Sequence, residues 1–429
     1  MKIKNYDKLA SSASRKAALE ILEAGLEVID TKHVIERSVR TAGDDVFVLD
    51  RKIEMGQKGL YFVGVGKCAT DSAIALEKIL GDRLVGGILV DVCAPSNLLE
   101  KIRCLEGTHP MPSEKNINAA REITDYLKNL GEGATVIMVI SGGGSTLLCY
   151  PEGEIDHKKE AEIVKGLFAA GATIQELNTI RKHLSLARGG FLAKYAYPAK
   201  VVSLIFSDVP GNDAGFISSG PTILDTTTVE DAYAVLKKYN ISFDDGKTCN
   251  LIETPKESKY FDNVENILVV SNDIALAAMA VRARELGFSA EIKNAKMVGE
   301  ARDIGEKIIL DLHGASSQTV FLYGGETTVS IKGSGIGGRN QELALSALKD
   351  IKNDEVLVAS SSDGRDNGDY AGAIVDIKIV GEAENLGLVP DDYLKNNDST
   401  TFFKKIGDSL IETGATGSNV ADFVIVMKE

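Results

Sequence analysis

The sequence predicts an α/β protein built from two domains, and two observations lead to this prediction. Short, uninterrupted apolar segments alternate with amphipathic helical segments, which is typical of a parallel sheet covered by helices on both faces. These apolar segments run into glycine-rich turns, and glycine supplies 42 of the 429 residues, above the usual share of about 7%. Loops at the carboxyl ends of parallel strands form the ligand crevice of such sheets, so these turns lie where a binding site is expected.

The first half of the chain contains this alternation in its simplest form. We predict strands over residues 60–65, 87–91, 135–140 and 201–206, and helices over residues 71–80, 113–129 and 158–170. Ser113, followed three residues later by Asn116, is a suitable N-cap for the second helix. A polar, weakly periodic stretch over residues 241–263 indicates a connection between domains. We therefore predict an N-terminal domain over residues 1–245, a linker over 246–261 and a C-terminal domain over 262–429.

The alternation restarts in the second half of the chain. Predicted strands cover residues 266–270, 289–292, 319–323, 355–360 and 422–427, and predicted helices cover residues 274–286, 299–312 and 339–348. Residues 326–332 alternate between polar and apolar side chains, which predicts a hairpin arm. The sequence leaves open which of the two domains the last strand joins.

Composition and charge narrow the class of protein. The chain has 48 basic and 62 acidic side chains and a formal net charge of −14, which argues against nucleic acid or an anionic membrane as its main partner. No apolar run approaches the ~18–20 residues of a membrane span, and the N-terminus has no secretory apolar segment. Five cysteines without a C-x-x-C pair are typical of free thiols in a reducing compartment. We therefore expect a cytoplasmic protein that acts on small molecules, with a homodimer left open.

The first glycine motif, residues 64–69 (GVGKCA), follows a predicted strand and opens a predicted helix. Glycine lets backbone N–H groups approach an anion at a positive helix end, although a tight strand-to-helix turn explains the same pattern. Lys67 favours a ligand site that includes Gly66, because a phosphate or carboxylate needs a cation and a dinucleotide turn does not. The motif is not a Walker A loop, since Tyr61 stands at the first glycine position and Cys68 replaces the Ser/Thr.

A run of three glycines flanked by serines follows the strand predicted at 135–140. Three consecutive glycines cost conformational entropy, so we expect another group to approach the backbone closely there. A turn required for helix packing is the alternative. We favour an anion cradle, because the serine hydroxyls can also donate hydrogen bonds. Its candidate residues are Ser141, Gly142, Gly143, Gly144 and Ser145.

Other polar residues of the first half are weaker candidates. Asn178 and Arg181 belong to a polar, basic cluster (NTIRKH) that is otherwise typical of a solvated helix face. His109 lies in a stiff loop before a helix and is interpreted as a packing histidine. Asp208 ends a strand at the ligand edge of the sheet, where it could hold Mg²⁺ or orient a substrate hydroxyl. An aspartate that caps a loop explains this position equally well.

The second half adds further candidate loops. Glu326 and Thr327 follow a predicted strand, and Arg339 with Asn340 opens a predicted helix. An arginine at such a helix start adds a planar bidentate donor to backbone N–H groups, a combination suited to phosphate. An Asp/Gly-rich loop at residues 362–369 follows another strand, but it lacks the closing glutamate of an EF-hand.

These segments and several others resemble, in order and nearly end to end, the motifs of one known family. The matching stretches are GVGKCA (64–69), HPMP (109–112), SGGGSTLL (141–148), LNTIRKHLSLARGGFLA (177–193), SDVPGNDAGFISSGPTILD (207–225), GGETTVSIKGSGIGGRNQELAL (324–345), SSDGRDNGDYAGAIVD (361–376), NDSTTFF (397–403) and TGATGSNVADF (413–423). Together they resemble the glycerate kinase family that ends in a MOFRL domain, of the glycerate 2-kinase type. Several stretches exceed ten residues, so the resemblance is specific at family level.

The resemblance implies both a fold and a reaction. The fold is two three-layer α/β domains, the N-terminal one Rossmann-like and the C-terminal one of MOFRL type, with the active site in the cleft between them. The implied reaction is ATP-dependent phosphorylation of D-glycerate, with Mg²⁺, at the 2-hydroxyl, to give 2-phosphoglycerate and ADP.

The resemblance also implies roles for individual residues. The family's active-site lysine falls on Lys67, its arginine on Arg339, and its acidic loop on Asp363 and Asp366. Lys67 and Arg339 would neutralise charge on the γ-phosphoryl group and on glycerate, while the glycine-rich turns and Mg²⁺ hold ATP. Asp208 and Asp363 are both candidates for the carboxylate that orients the attacking hydroxyl, and Asp208 is also the candidate metal ligand. Departures from the family pattern, which concern substrate selectivity, are at Arg365, Asp369, Tyr370, Ser418 and Ala421.

Two other functions stay open. A NAD(P)H-dependent hydroxypyruvate reductase would use a nicotinamide site made of Gly64, Gly66, Ala69 and Asp91. That hypothesis leaves Lys67 and the arginine loop without a task. A non-catalytic sugar-acid sensor that has kept the fold is the third hypothesis.

Overall fold

The computed structural model describes residues 1–93, 98–153, 155–209, 211–241 and 250–429. Its helices are α1 Tyr6–Leu9, α2 Ala13–Val28, α3 Thr31–Ser38, α4 Ala69–Leu80, α5 Glu114–Leu130, α6 Gly144–Leu147, α7 His157–Ala169, α8 Ile174–His183, α9 Phe191–Ala196, α10 Val229–Lys238, α11 Asn272–Glu285, α12 Ala301–His313, α13 Arg339–Ala347, α14 Ile377–Asn385, α15 Pro390–Lys395 and α16 Ser399–Ile406. Its strands are β1 Val39–Ala42, β2 Asp45–Val48, β3 Arg51–Ile53, β4 Gly59–Val65, β5 Leu84–Asp91, β6 Ile102–Glu106, β7 Ala134–Ile140, β8 Lys200–Phe206, β9 Val264–Val270, β10 Ser289–Met297, β11 Thr319–Gly325, β12 Glu355–Ser361, β13 Gly372–Asp376, β14 Leu410–Ile411 and β15 Asp422–Lys428.

The chain divides into two compact units, one formed by residues 31–269 and the other by residues 1–30 together with 270–429. This division differs from the predicted domains, 1–245 and 262–429, at both ends of the first domain. Residues 1–30 belong with the C-terminal unit because α2 packs against α11 and the buried Arg15 forms an ion pair with Asp376 at 3.0 Å. The strand predicted at 266–270 is β9, which joins the sheet of the first unit instead of opening the second. The predicted linker, 246–261, lies partly outside the described residues.

The 31–269 unit is organised around a parallel sheet. Among the described residues its strand order is β6-β5-β4-β7-β8-β9, and the pairs from β6 to β8 are all parallel. Every residue of β7 is buried, as the uninterrupted apolar segment predicts. From β4 the chain builds β5 and β6 on one side and then returns to build β7 and β8 on the other. The sheet therefore has a topological switch point between β4 and β7, where open α/β sheets bind ligands.

Helix α5 shows how the sequence sets a helix and its packing in this unit. It starts directly after Ser113, and Ser113 and Asn116 form a capping box, as expected from their spacing. Its apolar side chains Ile123 and Leu127 are buried in the core together with Val63 and Val136 of the sheet. A separate antiparallel sheet, β1-β2-β3, precedes β4 and was not predicted.

The second unit contains a mixed sheet with the order β10-β11-β15-β12-β13-β14 among the described residues. Strands β10 and β11 are parallel, and the remaining pairs are antiparallel. The last strand, whose domain the sequence leaves open, is β15 and lies between β11 and β12. Its antiparallel direction brings its first residue, Asp422, beside Gly325 and Ser361, the last residues of β11 and β12.

The hairpin arm predicted at 326–332 is wrong. The segment forms no strand, and its Thr328 makes only an isolated bridge with Glu300. The Ser330 N–H donates to the Glu300 carboxylate at 3.0 Å, so a side chain takes the place of a partner strand. Alternating polarity does not by itself provide the backbone partner that a strand requires.

Two expectations drawn from composition can also be compared with the structure. Across the described ranges no helix is both long enough and apolar enough to cross a bilayer. Cys68, Cys93, Cys104 and Cys149 are free thiols, and Cys249 lies outside the described residues.

Candidate functional site

Two of the predicted turns meet at the switch point of the parallel sheet. The Lys67 N–H donates to the Gly142 carbonyl at 3.0 Å, and the Ser141 N–H donates to the Val65 carbonyl at 2.9 Å. Gly66 has a φ of +118°, and a Cβ on it would lie 2.6 Å from the Ser141 carbonyl oxygen. Glycine is required there because no other residue tolerates both the backbone angle and so close an approach.

The Lys67 side chain lies over the glycine run. Gly143 has a φ of +84°, and a Cβ on it would lie 3.1 Å from Lys67 Cε and 3.4 Å from His109 Cδ2. Lys67 itself is exposed. The structure therefore combines a lysine with a glycine run, which are the two elements the sequence predicts for an anion cradle.

Asp208 lies beside the same turn, next to Gly142. It follows β8 and is half-buried, and a Cβ on Gly142 would lie 2.3 Å from its Oδ2 atom. The missing side chain at Gly142 makes room for this carboxylate. A cation and a carboxylate thus flank one backbone turn, an arrangement that can bind an anion and orient a hydroxyl next to it.

A serine loop supports the turn from behind. The Ser218 hydroxyl donates to the Ser141 carbonyl at 2.7 Å, and the Ser145 and Ser219 hydroxyls are 2.9 Å apart. Ser218 and Ser219 adopt left-handed φ angles of 52° and 58°, which these contacts stabilise. In the sequence both serines belong to the family-like motif at 207–225, which by itself gave them no role.

Asn178 belongs to this support and does not line an open surface. It is buried, its Oδ1 accepts from the Ser219 hydroxyl at 3.0 Å, and its Nδ2 donates to the Ile174 carbonyl at 3.1 Å. The predicted role of Asn178 as a direct ligand residue is therefore replaced by a role in holding the serine loop.

Electrostatics favour an anion near Lys67. Partial burial of the ring, together with the charges of Lys67 and Arg181, lowers the pKa of His109 to about 4, so the imidazole is neutral at pH 7. Burial also lowers the pKa of Arg181, with a further contribution from Arg188. The interpretation of His109 as a packing residue is wrong, because the residue keeps much of its surface exposed and its ring lies beside the glycine run.

In the second unit, Arg339 is the first residue of α13 and is held by two carboxylates. Its Nε and Nη2 donate to Asp422 Oδ2 and Oδ1 at 2.5 and 3.0 Å, and its Nη1 lies 2.7 Å from Glu326 Oε1. Burial raises the pKa of Asp422 to about 6 although Arg339 opposes that shift, so Asp422 is ionised at pH 7. Sequence reasoning missed Asp422, whose only signal was its position at the start of the last strand.

The backbone amides at the start of α13 are already occupied. Asp366 is buried, and its carboxylate accepts from the N–H groups of Asn340 and Gln341 at 3.0 and 2.8 Å. Burial raises the pKa of Asp366, and these hydrogen bonds oppose the shift. The expectation that these amides are available to a phosphate is wrong, since Asp366 caps the helix. At the start of α13, the Arg339 side chain remains as a donor for a phosphate.

Asp363 lies at the start of the same acidic loop and makes local contacts. Its Oδ1 accepts from the Ser361 hydroxyl at 2.8 Å and from the Arg365 N–H at 2.9 Å. This is the geometry of an aspartate that stabilises its own turn.

A cavity of about 630 Å³ lies beside Arg339. Its lining includes the predicted residues Glu326, Thr327, Arg339 and Asp366. Within the described ranges no group of three or more His, Cys, Asp or Glu side chains is arranged to hold a metal ion.

The fold and these two clusters define an α/β protein whose strand-end loops carry Lys67 and Arg339 beside glycine-rich turns and carboxylates. Comparison with known proteins identifies its family. A family model described as a domain of unknown function (DUF4147) matches residues 17–252, more than half of the chain, and the MOFRL family model matches residues 319–422. The chain therefore belongs to the glycerate kinase family that has a C-terminal MOFRL domain, as its motifs predict.

Individual relatives agree with this assignment over almost the whole length. The D-glycerate 2-kinase of Thermotoga maritima is 36% identical over 423 residues, covering 96% of this chain and 97% of the relative. A protein of Agrobacterium vitis named as a hydroxypyruvate reductase is 36% identical over 411 residues, covering 92% and 93%. The crystal structure of glycerate kinase from Thermotoga maritima matches with a TM-score of 0.85 at 34% identity, covering 96% of this chain and 99% of that one. The α/β fold class is confirmed.

Proposed function

We propose that the protein is a kinase that transfers the γ-phosphoryl group of ATP to D-glycerate, at the 2-hydroxyl. The observation that carries the proposal is the cluster at the switch point, where Lys67 and Asp208 flank the glycine run 142–144. Phosphoryl transfer requires positive charge and backbone donors on the phosphoryl oxygens and a group that orients the attacking hydroxyl. The names of the relatives from Thermotoga maritima support the same substrate and the same hydroxyl.

Each charged residue takes one role in this proposal. Lys67 and Arg339 neutralise negative charge on the γ-phosphoryl group and on the glycerate carboxylate. Asp208 orients the attacking hydroxyl, and it is favoured over Asp363 because its Oδ2 lies beside Gly142 of the glycine run. The glycine run contributes backbone N–H groups to bind ATP oxygens.

Mg²⁺ is the proposed partner of ATP. This ion usually keeps several water ligands and binds through one or two carboxylates plus substrate phosphates. A single carboxylate such as Asp208, next to a turn that could bind phosphate, fits this requirement without a larger ligand cluster. When bound, the ion would neutralise charge on the phosphates.

The test is a kinetic comparison of variants with ATP and D-glycerate as substrates. Lys67→Ala should lower kcat/KM by roughly 10²–10⁴ if the ammonium stabilises transferring charge. Lys165→Ala, an exposed lysine on α7 with the same charge change, is the matched control. ³¹P NMR of the product identifies the hydroxyl that is phosphorylated. A loss smaller than tenfold in Lys67→Ala would remove this residue from the mechanism.

The second candidate function is hydroxypyruvate reduction, which the name of the Agrobacterium vitis relative favours. A nicotinamide site of the Rossmann type uses an acidic residue such as Asp91 to bind ribose hydroxyls. Here Asp91 is buried, and its Oδ2 accepts from the Thr70 N–H at 3.0 Å, in the first turn of α4. Sustained NADH or NADPH oxidation by hydroxypyruvate, without ATP-dependent turnover of glycerate, would overturn the kinase proposal.

Other parts of the proposal stay predictions. They are an active site in the cleft between the two domains, a homodimer, a cytoplasmic location, and altered selectivity at the positions that depart from the family pattern. Light scattering of the purified protein tests the homodimer. Ligand binding without turnover of either substrate pair would favour the sensor hypothesis.

A further inference from the structure

The guanidinium of Arg339 is shared between two carboxylates that differ in exposure. The Asp422 side chain has no exposed surface and accepts from Nε and Nη2 of Arg339. The Glu326 side chain is half exposed and contacts Nη1. The two contacts occupy different edges of the guanidinium.

The two ion pairs also differ in rigidity. Asp422 belongs to β15 and is paired with Gly325 on one side and Ser361 on the other, so its backbone is fixed by the sheet. Glu326 follows the end of β11, in a segment that forms no strand. A buried bidentate pair fixes a guanidinium, while an exposed pair contributes little stability and exchanges readily with other anions.

The exposed pair lies at the cavity beside α13. Glu326 and Arg339 both line this cavity of about 630 Å³. Two other carboxylates in the lining have their own partners. Glu342 is bound by Arg302 at 2.5 Å, and Asp366 caps α13. Arg339 is therefore the cation that a negatively charged ligand in this cavity would contact, and Glu326 is the carboxylate that such a ligand would meet there.

We propose that Glu326 occupies the Nη1 edge of Arg339 until a carboxylate or phosphate group of the substrate replaces it, while Asp422 is the positioning residue that keeps Arg339 in place. This inference rests on the proposed kinase function, in which both substrates are anions. Glu326 then sets how tightly the anion binds, because each ligand must displace it. Asp422 has the opposite effect on anion binding, since it holds the Arg339 guanidinium in the position where the ligand contacts it.

The two carboxylates are expected to change anion binding in opposite directions. Glu326→Gln removes the competing charge, so KM and Kd for the anion that binds Arg339 should fall about three- to tenfold. Asp422→Asn keeps the shape but removes the charge that fixes Arg339, so the same constants should rise about tenfold or more. A residue that only stabilised the fold would not produce a lower KM on removal of its charge.

The experiment measures Kd by calorimetry for D-glycerate, for ATP and for ADP separately, and KM for both substrates, on the full-length protein. The control is Glu285→Gln, which makes the same charge change at an exposed Arg282 pair of 2.9 Å. It should leave all constants unchanged. A decrease confined to glycerate assigns the substrate carboxylate to Arg339, and a decrease shared by ATP and ADP assigns a phosphate; both support the inference.

Several outcomes would contradict it. Wild-type protein without ATP-dependent phosphorylation of glycerate would end the kinase proposal itself. An active wild type, with unchanged or higher constants in Glu326→Gln, would end the inference about Glu326 and leave the kinase proposal standing. In an Arg339→Ala background both substitutions should lose their effect, and full additivity would refute coupling through Arg339. If Asp422→Asn does not fold, the effect of Glu326→Gln in the wild-type and in the Arg339→Ala background still tests the inference.

Discussion

Replacing Gly142 by alanine tests the proposed site with a single methyl group. Gly142 does not have a left-handed φ, so alanine is compatible with its backbone. The added Cβ would lie 2.3 Å from Asp208 Oδ2, and an ordinary contact requires at least 3.4 Å. The carboxylate must therefore retreat by about 1 Å, which displaces the group proposed to orient the glycerate hydroxyl.

The expected losses in stability and in activity differ greatly. A side chain forced about 30° from its rotamer costs about 0.5–1.5 kcal/mol, which is the expected loss in the free energy of unfolding. A displacement of about 1 Å in a reacting constellation costs about 10²-fold in rate, which is the expected loss in kcat/KM. Initial rates with ATP and D-glycerate and urea unfolding measure the two quantities. Gly368→Ala, where no atom lies within 4 Å of the new Cβ, is the matched control.

A double variant shows whether Asp208 transmits the effect. In an Asp208→Ala background the methyl group has no carboxylate to displace. Adding Gly142→Ala there should therefore lower kcat/KM by less than about threefold. Wild-type kcat/KM in Gly142→Ala, or a full further loss in the Asp208→Ala background, would refute the reasoning.

Two further predictions concern other parts of the molecule. Arg15→Ala leaves Asp376 without its buried partner and should lower the free energy of unfolding, measured by urea titration, by about 3–5 kcal/mol. The control Lys16→Ala removes an exposed charge and should change the same quantity by less than about 0.5 kcal/mol. Equal effects of the two substitutions would contradict the ion-pair argument. The His109 imidazole, with its pKa lowered to about 4, should stay neutral from pH 8 to pH 5 by NMR. The unfolded chain protonates His109 near pH 6.5, whereas the folded chain does so only near pH 4. The stability that the neutral ring contributes is therefore complete above about pH 6.5 and is lost as the pH falls towards 4. A titration near pH 6.5 would show that the ring is solvated and lies away from Lys67 and Arg181.

Much of the fold could be predicted because local patterns determine it. The helix predicted at 113–129 is α5, at Glu114–Leu130, and the apolar segment at 135–140 is β7, at Ala134–Ile140. Apolar periodicity and helix capping act within a few residues and are visible in the sequence. The glycine turns were also predictable, because three consecutive glycines are unfavourable unless another group approaches them closely.

The partners of the site residues were less predictable. Lys67 and the glycine run follow neighbouring strands of a parallel sheet, so their meeting follows from fold class. The contact of Asn178 with Ser219 depends on how α8 packs against a distant loop, and the capping of α13 by Asp366 depends on a loop 25 residues away. A polar cluster suggested a ligand role for Asn178 and the family resemblance suggested one for Asp366, whereas burial and hydrogen bonding assign both to structure.

The sequence by itself determined the α/β class, the family and the cationic residues of the two loops, because each depends on residue types at short spacing. Only the tertiary structure decided what holds Arg339. Asp422 is 83 residues away from it in the chain. It reaches Arg339 because β15 runs antiparallel between β11 and β12, which places the first residue of the last strand at the edge where those two strands end. Strand direction depends on the pairing of whole strands, and no local pattern at Asp422 records it.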